Sequence, residues 1–273
     1  MIQGWKYYNH AMIPTTAPHE NVLLDPVERG KCLKYRGGGI PLLARWTTDW
    51  DCGYETEFWY TILDHPFDLD KIKAKHRYQI KQGVKNFEVK EIDFYEYKET
   101  LLEITNEVRR KEYGLSSIKK LPTPFDNAVY LGAFDIEERK CVGYAKLAEY
   151  STYIDFTSLK VLPEYEKKSI NAALVYAVVD RYKEKLGDIY ISNGSRTINH
   201  PTHFNEYLIR MFEFRRAYCK LFIRYRWWVK PIVQLLFPFR NILEKISYKK
   251  HLLQMILGVL KMEEIARSFS HSR

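Results

Sequence analysis

Residues 128–182 change their hydrophobic period once, and that change limits the folds open to the chain. Three runs, AVYLGAFDI, CVGYAKLAEY and YIDFTSLKVL, have the alternation and the β-branched and aromatic content of strands, and they follow one another in hairpin style. The last run passes through Val161, Leu162 and Pro163 into a helical stripe of Ile170, Ala173, Leu174, Ala177, Val178 and Tyr182, stopped by Gly187. A three-strand meander that feeds a helix buries its apolar faces only as a sheet with helices laid on it. The neighbouring segments extend the pattern. NFEVKEI reads as a strand, and DFYEYKETLLEITNEVRRKEYG as a helix with Phe94, Tyr97, Leu101, Ile104 and Val108 on one face. After the long helix come a short strand DIYIS, an amphipathic helix bearing Phe204, Tyr207, Leu208 and Met211, and the strand AYCKLFIRY. From residue 86 the order is β-α-β-β-β-α-β-α-β, an α+β chain with a mixed central sheet flanked by helices.

Upstream, residues 1–36 are aromatic and turn-rich without a clear period, so loop is expected there. PLLARWTTD and YETEFWYTIL have strand composition, and FDLDKIKAKHRYQIKQG reads as a helix capped by Asp68 and stopped by Gly83. Three parts are expected: a strand-and-helix segment over 1–83, the main α+β domain over 84–226, and a basic amphipathic helical tail over 227–273. The net charge of +9 sits in the last quarter, where residues 206–273 carry 14 Lys and Arg against 5 Asp and Glu. RYRWWVKPIVQLLFPFRNILEKISYKK interleaves apolar clusters with cations and two tryptophans, the composition of a segment that lies in a membrane interface. An anionic membrane surface is therefore an expected partner through residues 224–250, with packing onto the preceding domain as the alternative. The apolar runs PIVQLLFPF and HLLQMILGVL are far shorter than the roughly 20 residues of a spanning helix. MIQGWKYYNH shows no apolar stretch after its charge, so the expected location is cytoplasmic, peripheral on the inner face of the cell membrane. The four cysteines form no CxxC pair, and Pro201 between His200 and His203 rules out the helical His spacing of zinc hydrolases, so no metal is expected.

The strand order and the stretch VLPEYEKKSINAAL resemble the GNAT acyltransferase superfamily, whose central motif is V-x-P-x-x-R/Q-G-x-G-x-G/A-x-x-L. Val161, Pro163, Ile170 and Leu174 stand at matching positions. Glu166 replaces the Arg/Gln, and Lys167, Ser169 and Asn171 replace the three glycines. In the family those glycines let backbone amides approach the pyrophosphate of coenzyme A at a helix N-terminus. The resemblance therefore assigns the donor contact to Val161, Lys167, Lys168, Ser169, Ile170 and Asn171, with the two lysines and the Ser and Asn side chains standing in for lost amides. KIKAKHRYQIKQGVKNFEVKEI and FNEYLIRMFEFRRAYCKLFIRY are similar to segments of a branch that departs from the glycine pattern, the Fem-type aminoacyl transferases and related proteins of surface-polymer synthesis. That likeness covers residues 66–226. It implies acyl-CoA or aminoacyl-tRNA as donor.

The resemblance also implies a donor wedge between the strand YIDFTSLKVL and the strand YISN. Alternation places Tyr153, Asp155, Thr157 and Leu159 on one face of the first, and Asp155 is a candidate general base or, alternatively, half of a cross-sheet ion pair. Asn193 is a candidate to polarise the acyl carbonyl, or a turn former. Tyr207 lies in the helix where relatives use a tyrosine as general acid, two positions before the family's usual place at Ile209, and it is a candidate for that role or, alternatively, a core residue on the apolar stripe with Phe204 and Met211. The implied function is acyl or aminoacyl transfer to an amine or hydroxyl of a nucleotide- or lipid-linked sugar precursor of a surface polysaccharide or cell wall. The alternative is a catalytically inactive GNAT-fold binding protein for a nucleotide, lipid or protein partner. In a tRNA-dependent enzyme, the cations from Lys71 to Lys85 would meet phosphates.

Overall fold

The structure, a computed structural model, describes residues 2–198, 203–246 and 251–269. His200 of the NHPTH loop and residues 247–250 of the tail lie outside the described residues. The chain forms two compact units. The first gathers Met1–Tyr60, Ser195–His203 and Arg216–Arg273, and the second gathers Thr61–Gly194 and Phe204–Arg215.

Along the chain, β1 (Trp5–Tyr8), β2 (Ala11–Pro14), α1 (Asp25–Glu28), α2 (Lys31–Lys34), β3 (Leu43–Thr48) and β4 (Phe58–Leu63) come first. Next are α3 (Ala74–Asn86), β5 (Phe87–Glu91), α4 (Phe94–Lys111), β6 (Ala128–Asp135), β7 (Cys141–Glu149) and β8 (Tyr153–Val161). Then follow α5 (Ile170–Tyr182), β9 (Tyr190–Ser195), α6 (His203–Phe212), β10 (Arg215–Tyr225), α7 (Val229–Leu236), α8 (Arg240–Ile246) and α9 (His251–Ser268).

In the first unit the strands run in the order β1-β2-β3-β10. β10 pairs antiparallel with β3 from Lys220 opposite Thr48 to Tyr225 opposite Leu43, whereas β2 pairs parallel with β3 at only two positions. The N-terminal residues form a hairpin where loop was expected. Asn9 and His10 turn it with left-handed φ of 44° and 61°, the geometry of a two-residue hairpin turn. Histidine occupies the place where glycine usually announces such a turn, which hides the signal. On the tail side, Val229 and Val233 of α7 meet Leu260 of α9 in one buried cluster.

The second unit carries the order β9-β8-β7-β6-β5, antiparallel throughout except for the parallel pair β8 and β9. Leu131, Ala145, Leu147, Ile154, Phe156 and Ile191 from the strands join α3, α5 and α6 in the main core. Tyr130, Cys141 and Tyr144 join Phe94, Leu101 and Ile104 in a second cluster on α4. Asp93 caps α4 by accepting from the amides of Tyr95 and Glu96.

Two elements differ from expectation. Helix α3 begins at Ala74, beyond Asp68, and runs past Gly83 to Asn86. Gly83 is a packing residue rather than a stop: a Cβ there would lie 2.5 Å from the Ser169 carbonyl oxygen and 2.9 Å from the Ala173 nitrogen. Only a glycine lets α3 come this close to the start of α5. Similarly, the helix expected directly after Pro163 is first a 3-10 turn over Pro163–Lys168, then a left-handed Ser169 at φ 66°, and only then α5.

Candidate active site

Strands β8 and β9 are in register at three pairs, Tyr153 with Tyr190, Ile154 with Ile191 and Asp155 with Ser192. Beyond these, β8 continues for six residues to Val161 and β9 for three to Ser195 with no further pairing between them. The cause is visible on the other edge of β8. Lys146 of β7 stands opposite Ser158 and Ala148 opposite Asp155, so Phe156 and Thr157 together face the single residue Leu147. Such a bulge bends and twists the strand that carries it. Here it falls immediately after the last β8–β9 pair, and the two parallel strands part. Gly194, at φ 76°, turns the end of β9, with its amide donating to Ser192 Oγ at 3.1 Å.

The paired end is closed by rings. Tyr150 stacks on Tyr153 at 4.6 Å and Tyr153 on Tyr190 at 5.5 Å. These rings occupy the zipped part, not the part beyond Asp155, where Thr157 is exposed. On the α6 side, Phe156 meets Phe204 edge-on at 5.9 Å, and Phe204 stacks on Tyr207 at 6.0 Å. The backbone edge of β8 past the bulge is thus a row of amides and carbonyls without strand partners in β9, which suits an extended chain laid beside it.

The bulge also corrects the simple alternation. Leu159 packs with the core that holds Ile154 and Phe156, opposite to Asp155, so Asp155 and Leu159 do not share a face. Asp155 is electrostatically coupled to Lys146, a lysine in the middle of an otherwise apolar strand. Burial pushes the Lys146 ammonium down and the Asp155 carboxylate opposes the shift, while Lys146 Nζ lies 4.7 Å over the Phe125 ring. Asn193 sits at the start of the unpaired end of β9, and its Nδ2 donates to Oδ1 of the buried Asn205 at 2.5 Å. That bond aims the amide and leaves its second hydrogen for another acceptor. Tyr207 lies between Phe204 and Phe212, and burial raises its phenol well above the ordinary range. Asn193 and Tyr207 therefore gather on the α6 side, and Asp155 with Lys146 and Ser192 on the other. Lys146 and Asn205 were not singled out by the sequence. A lone cation inside CVGYAKLAEY was the signal available for the first, and nothing local marks the second.

The loop from β8 to α5 is tied down at several points. Lys168 Nζ meets Oδ2 of Asp135 at 2.8 Å, and Asp135 is 1 % exposed. Burial works against ionisation of Asp135, but the Lys168 ammonium and the Glu138 and Glu137 amides hold its carboxyl below the usual range. Tyr165 donates to Glu138 at 2.8 Å, and Asn86 Nδ2 to the Lys168 carbonyl at 3.0 Å. Val161 and Ile170 are core residues. Ser169 supplies the left-handed turn, Lys167 is exposed, and Asn171 has a buried Oδ1 without a hydrogen-bond partner. A coenzyme A pyrophosphate fits this loop poorly. One of its two cations is engaged by Asp135, α3 packs against Ser169, and Glu164 and Glu166 stand in the first turn.

No protein-family model matches the chain, and no curated protein sequence is similar to it. Solved structures do match. The C-terminal domain of a protein described as a lysylphosphatidylglycerol synthetase from Agrobacterium fabrum superposes with a TM-score of 0.50 at 9% identity, over 79% of this chain and 78% of that one. The fold is GNAT-like. FemX matches at a TM-score of 0.47 and 10% identity, covering 65% of this chain and 63% of its own. A tandem GNAT protein from the clavulanic acid biosynthesis pathway matches at 0.44 and 11%, over 79% and 75%. The mixed sheet and its flanking helices are those expected from the element order, and the parted parallel strands are what the resemblance implied. Among the described residues, no group of His, Cys, Asp and Glu is placed to hold a metal ion.

Proposed function

We propose that this protein is an acyltransferase of the aminoacyl class, acting at a membrane surface on an amine or hydroxyl of a surface-polysaccharide or cell-wall precursor. The observation that carries the reading is the parting of β8 and β9 after Asp155. An acyl ester held along the free edge of β8 puts its carbonyl in the gap, with Asn193 on one face of the sheet and Asp155 on the other. In this scheme the acceptor's amine or hydroxyl enters the gap from the face that carries Asp155, opposite to Asn193 and Tyr207, and attacks the carbonyl carbon while Asp155 takes the proton that the nucleophile loses. The free hydrogen of Asn193 Nδ2 stabilises the oxyanion, and the carrier's oxygen leaves with a proton supplied by Tyr207.

The loop geometry favours an aminoacyl-tRNA donor over acyl-CoA. Lys73, Lys75, Lys81 and Lys85 are exposed on and beside α3, the helix that packs against that loop, and can meet RNA phosphates. Lys167 remains as the loop's exposed cation. The membrane reading rests on residues 227–242, where Trp227, Leu235 and Ile242 are 83%, 69% and 60% exposed beside the exposed Lys230 and Lys245. Among the described residues no helix is long and apolar enough to cross a membrane. The attachment proposed is peripheral, on the cytoplasmic face, through these exposed apolar side chains and cations. A second reading, a GNAT-fold binding protein without catalysis, draws support from the Lys168–Asp135 lock and the ring-packed Tyr207. Purified protein incubated with radiolabelled aminoacyl-tRNAs or acetyl-CoA, and vesicles carrying lipid-linked amino sugars, separates the two. Transfer from aminoacyl-tRNA is expected; binding of donor without transfer would favour the second reading.

A further inference from the structure

The first unit contains another place where parallel strands separate. β2 and β3 pair only at Ala11 with Leu43 and Met12 with Ala44, and the chain after Met12 leaves β3. A cavity of about 190 Å³ is lined there by Ile13, Thr16 and Val22 from the departing segment and by Arg45, Thr47 and Tyr60. Phe58, Trp46 and Leu221 complete apolar walls, and Ser195 adds a hydroxyl.

The polar groups of this cavity are all able to donate, and the charge among them is positive. Arg45 is half-buried, and burial lowers its affinity for the proton. Among the described residues no carboxylate meets its guanidinium; its hydrogen-bond partner is the weakly accepting Sδ of Met262, 3.9 Å from Nη1. Thr16 Oγ1 is buried with no hydrogen-bond partner. The phenol of Tyr60 is raised by burial and so stays protonated, hydrogen-bonded to Thr47. A half-buried cation without a counter-charge and a buried hydroxyl without a partner are both unfavourable, and a ligand that satisfies both relieves them. The volume is below the roughly 300–1,000 Å³ of sites for drug-sized molecules, which limits the occupant to a small metabolite or one end of a larger one.

We propose that this cavity binds a small oxyanion, a carboxylate or a phosphate monoester, whose anionic head pairs with the Arg45 guanidinium and accepts from the Thr16 and Tyr60 hydroxyls. A planar fork of donors suits either head group. The site lies wholly in the first unit and stands independently of transfer at the β8–β9 wedge.

Titration calorimetry on the full chain, at fixed ionic strength with sodium chloride, tests it with acetate and L-alanine in one arm and inorganic phosphate and methyl phosphate in the other. Saturable binding in one arm is expected and identifies the head group. Arg45→Met, which keeps the bulk of the side chain, should weaken that binding at least tenfold without lowering the melting temperature of the free protein. Thr16→Val should weaken it several-fold. No saturable binding of any probe at millimolar concentration, or equal binding by Arg45→Met, overturns the proposal. If Arg45→Met does not fold, unchanged affinity in Thr16→Val overturns it.

Discussion

Replacing Gly83 with alanine tests how the donor loop is held. The added Cβ would stand 2.5 Å from the carbonyl oxygen of Ser169, against ordinary contacts that begin at 3.4 Å. The neighbour is backbone, so α3 and α5 must separate by about 0.9 Å to restore contact distance. Forcing extra bulk into a packed contact costs about 1–3 kcal/mol. Alanine recovers up to about 1 kcal/mol of helix propensity. The net expectation is a destabilisation of about 1–2 kcal/mol, or a fall of roughly 2–8 °C in melting temperature. Urea unfolding followed by circular dichroism measures it, with the exposed Gln79→Ala on the same helix as a control that should stay within about 0.5 kcal/mol of the parent. The separation also strains the hydrogen bond from Asn86 to the Lys168 carbonyl, so the KM for donor should rise. If Gly83→Ala is as stable as Gln79→Ala, the close α3–α5 contact does not exist as described.

Lys167→Ala should weaken donor binding and leave the unfolding transition unchanged, while Lys168→Ala should lower the transition by exposing Asp135 to burial without its partner; equal effects of both on stability would contradict the division of roles. Asn193→Ala should lower kcat about 10²–10³-fold in the radiolabel transfer assay if it holds the oxyanion, and should also cost about 1–3 kcal/mol of stability by leaving the buried Asn205 Oδ1 unpaired. Tyr207→Phe should leave stability near the parent and lower kcat, and full activity in that variant would reduce Tyr207 to a packing residue. The double change Trp227→Ser and Leu235→Ser should abolish flotation with vesicles containing anionic phosphatidylglycerol, and undiminished flotation would place membrane contact elsewhere.

Much of the second unit was legible because its segments announce their periods. The stripe from Ile170 to Tyr182, the helix bearing Phe94 to Val108 and the short strand before α6 all depend on local residue choice, and each forms where the pattern puts it. What the sequence hid was set by contacts distant along the chain. Gly83 looks like a stop until α5 is packed against it, and Lys168 looks like a free cation until Asp135, in a strand 33 residues earlier, is brought to it. The single-residue bulge at Phe156 and Thr157 moves Leu159 to the other face, which strict alternation cannot foresee. The separation of Asp155 from the Asn193 and Tyr207 side follows from the sheet lying between them. Arg45, read only as part of a strand, acquires its meaning from a cavity built by residues between 13 and 221.

Backbone hydrogen exchange along β8 reaches the central claim most directly. In the free protein, the amides of residues 156–161 that point toward β9 should exchange much faster than those of residues 153–155, and a non-hydrolysable aminoacyl-RNA analogue should slow them. Equal protection along the whole strand before any ligand is added would mean that β8 and β9 are joined to their ends, and the site described between them would not exist.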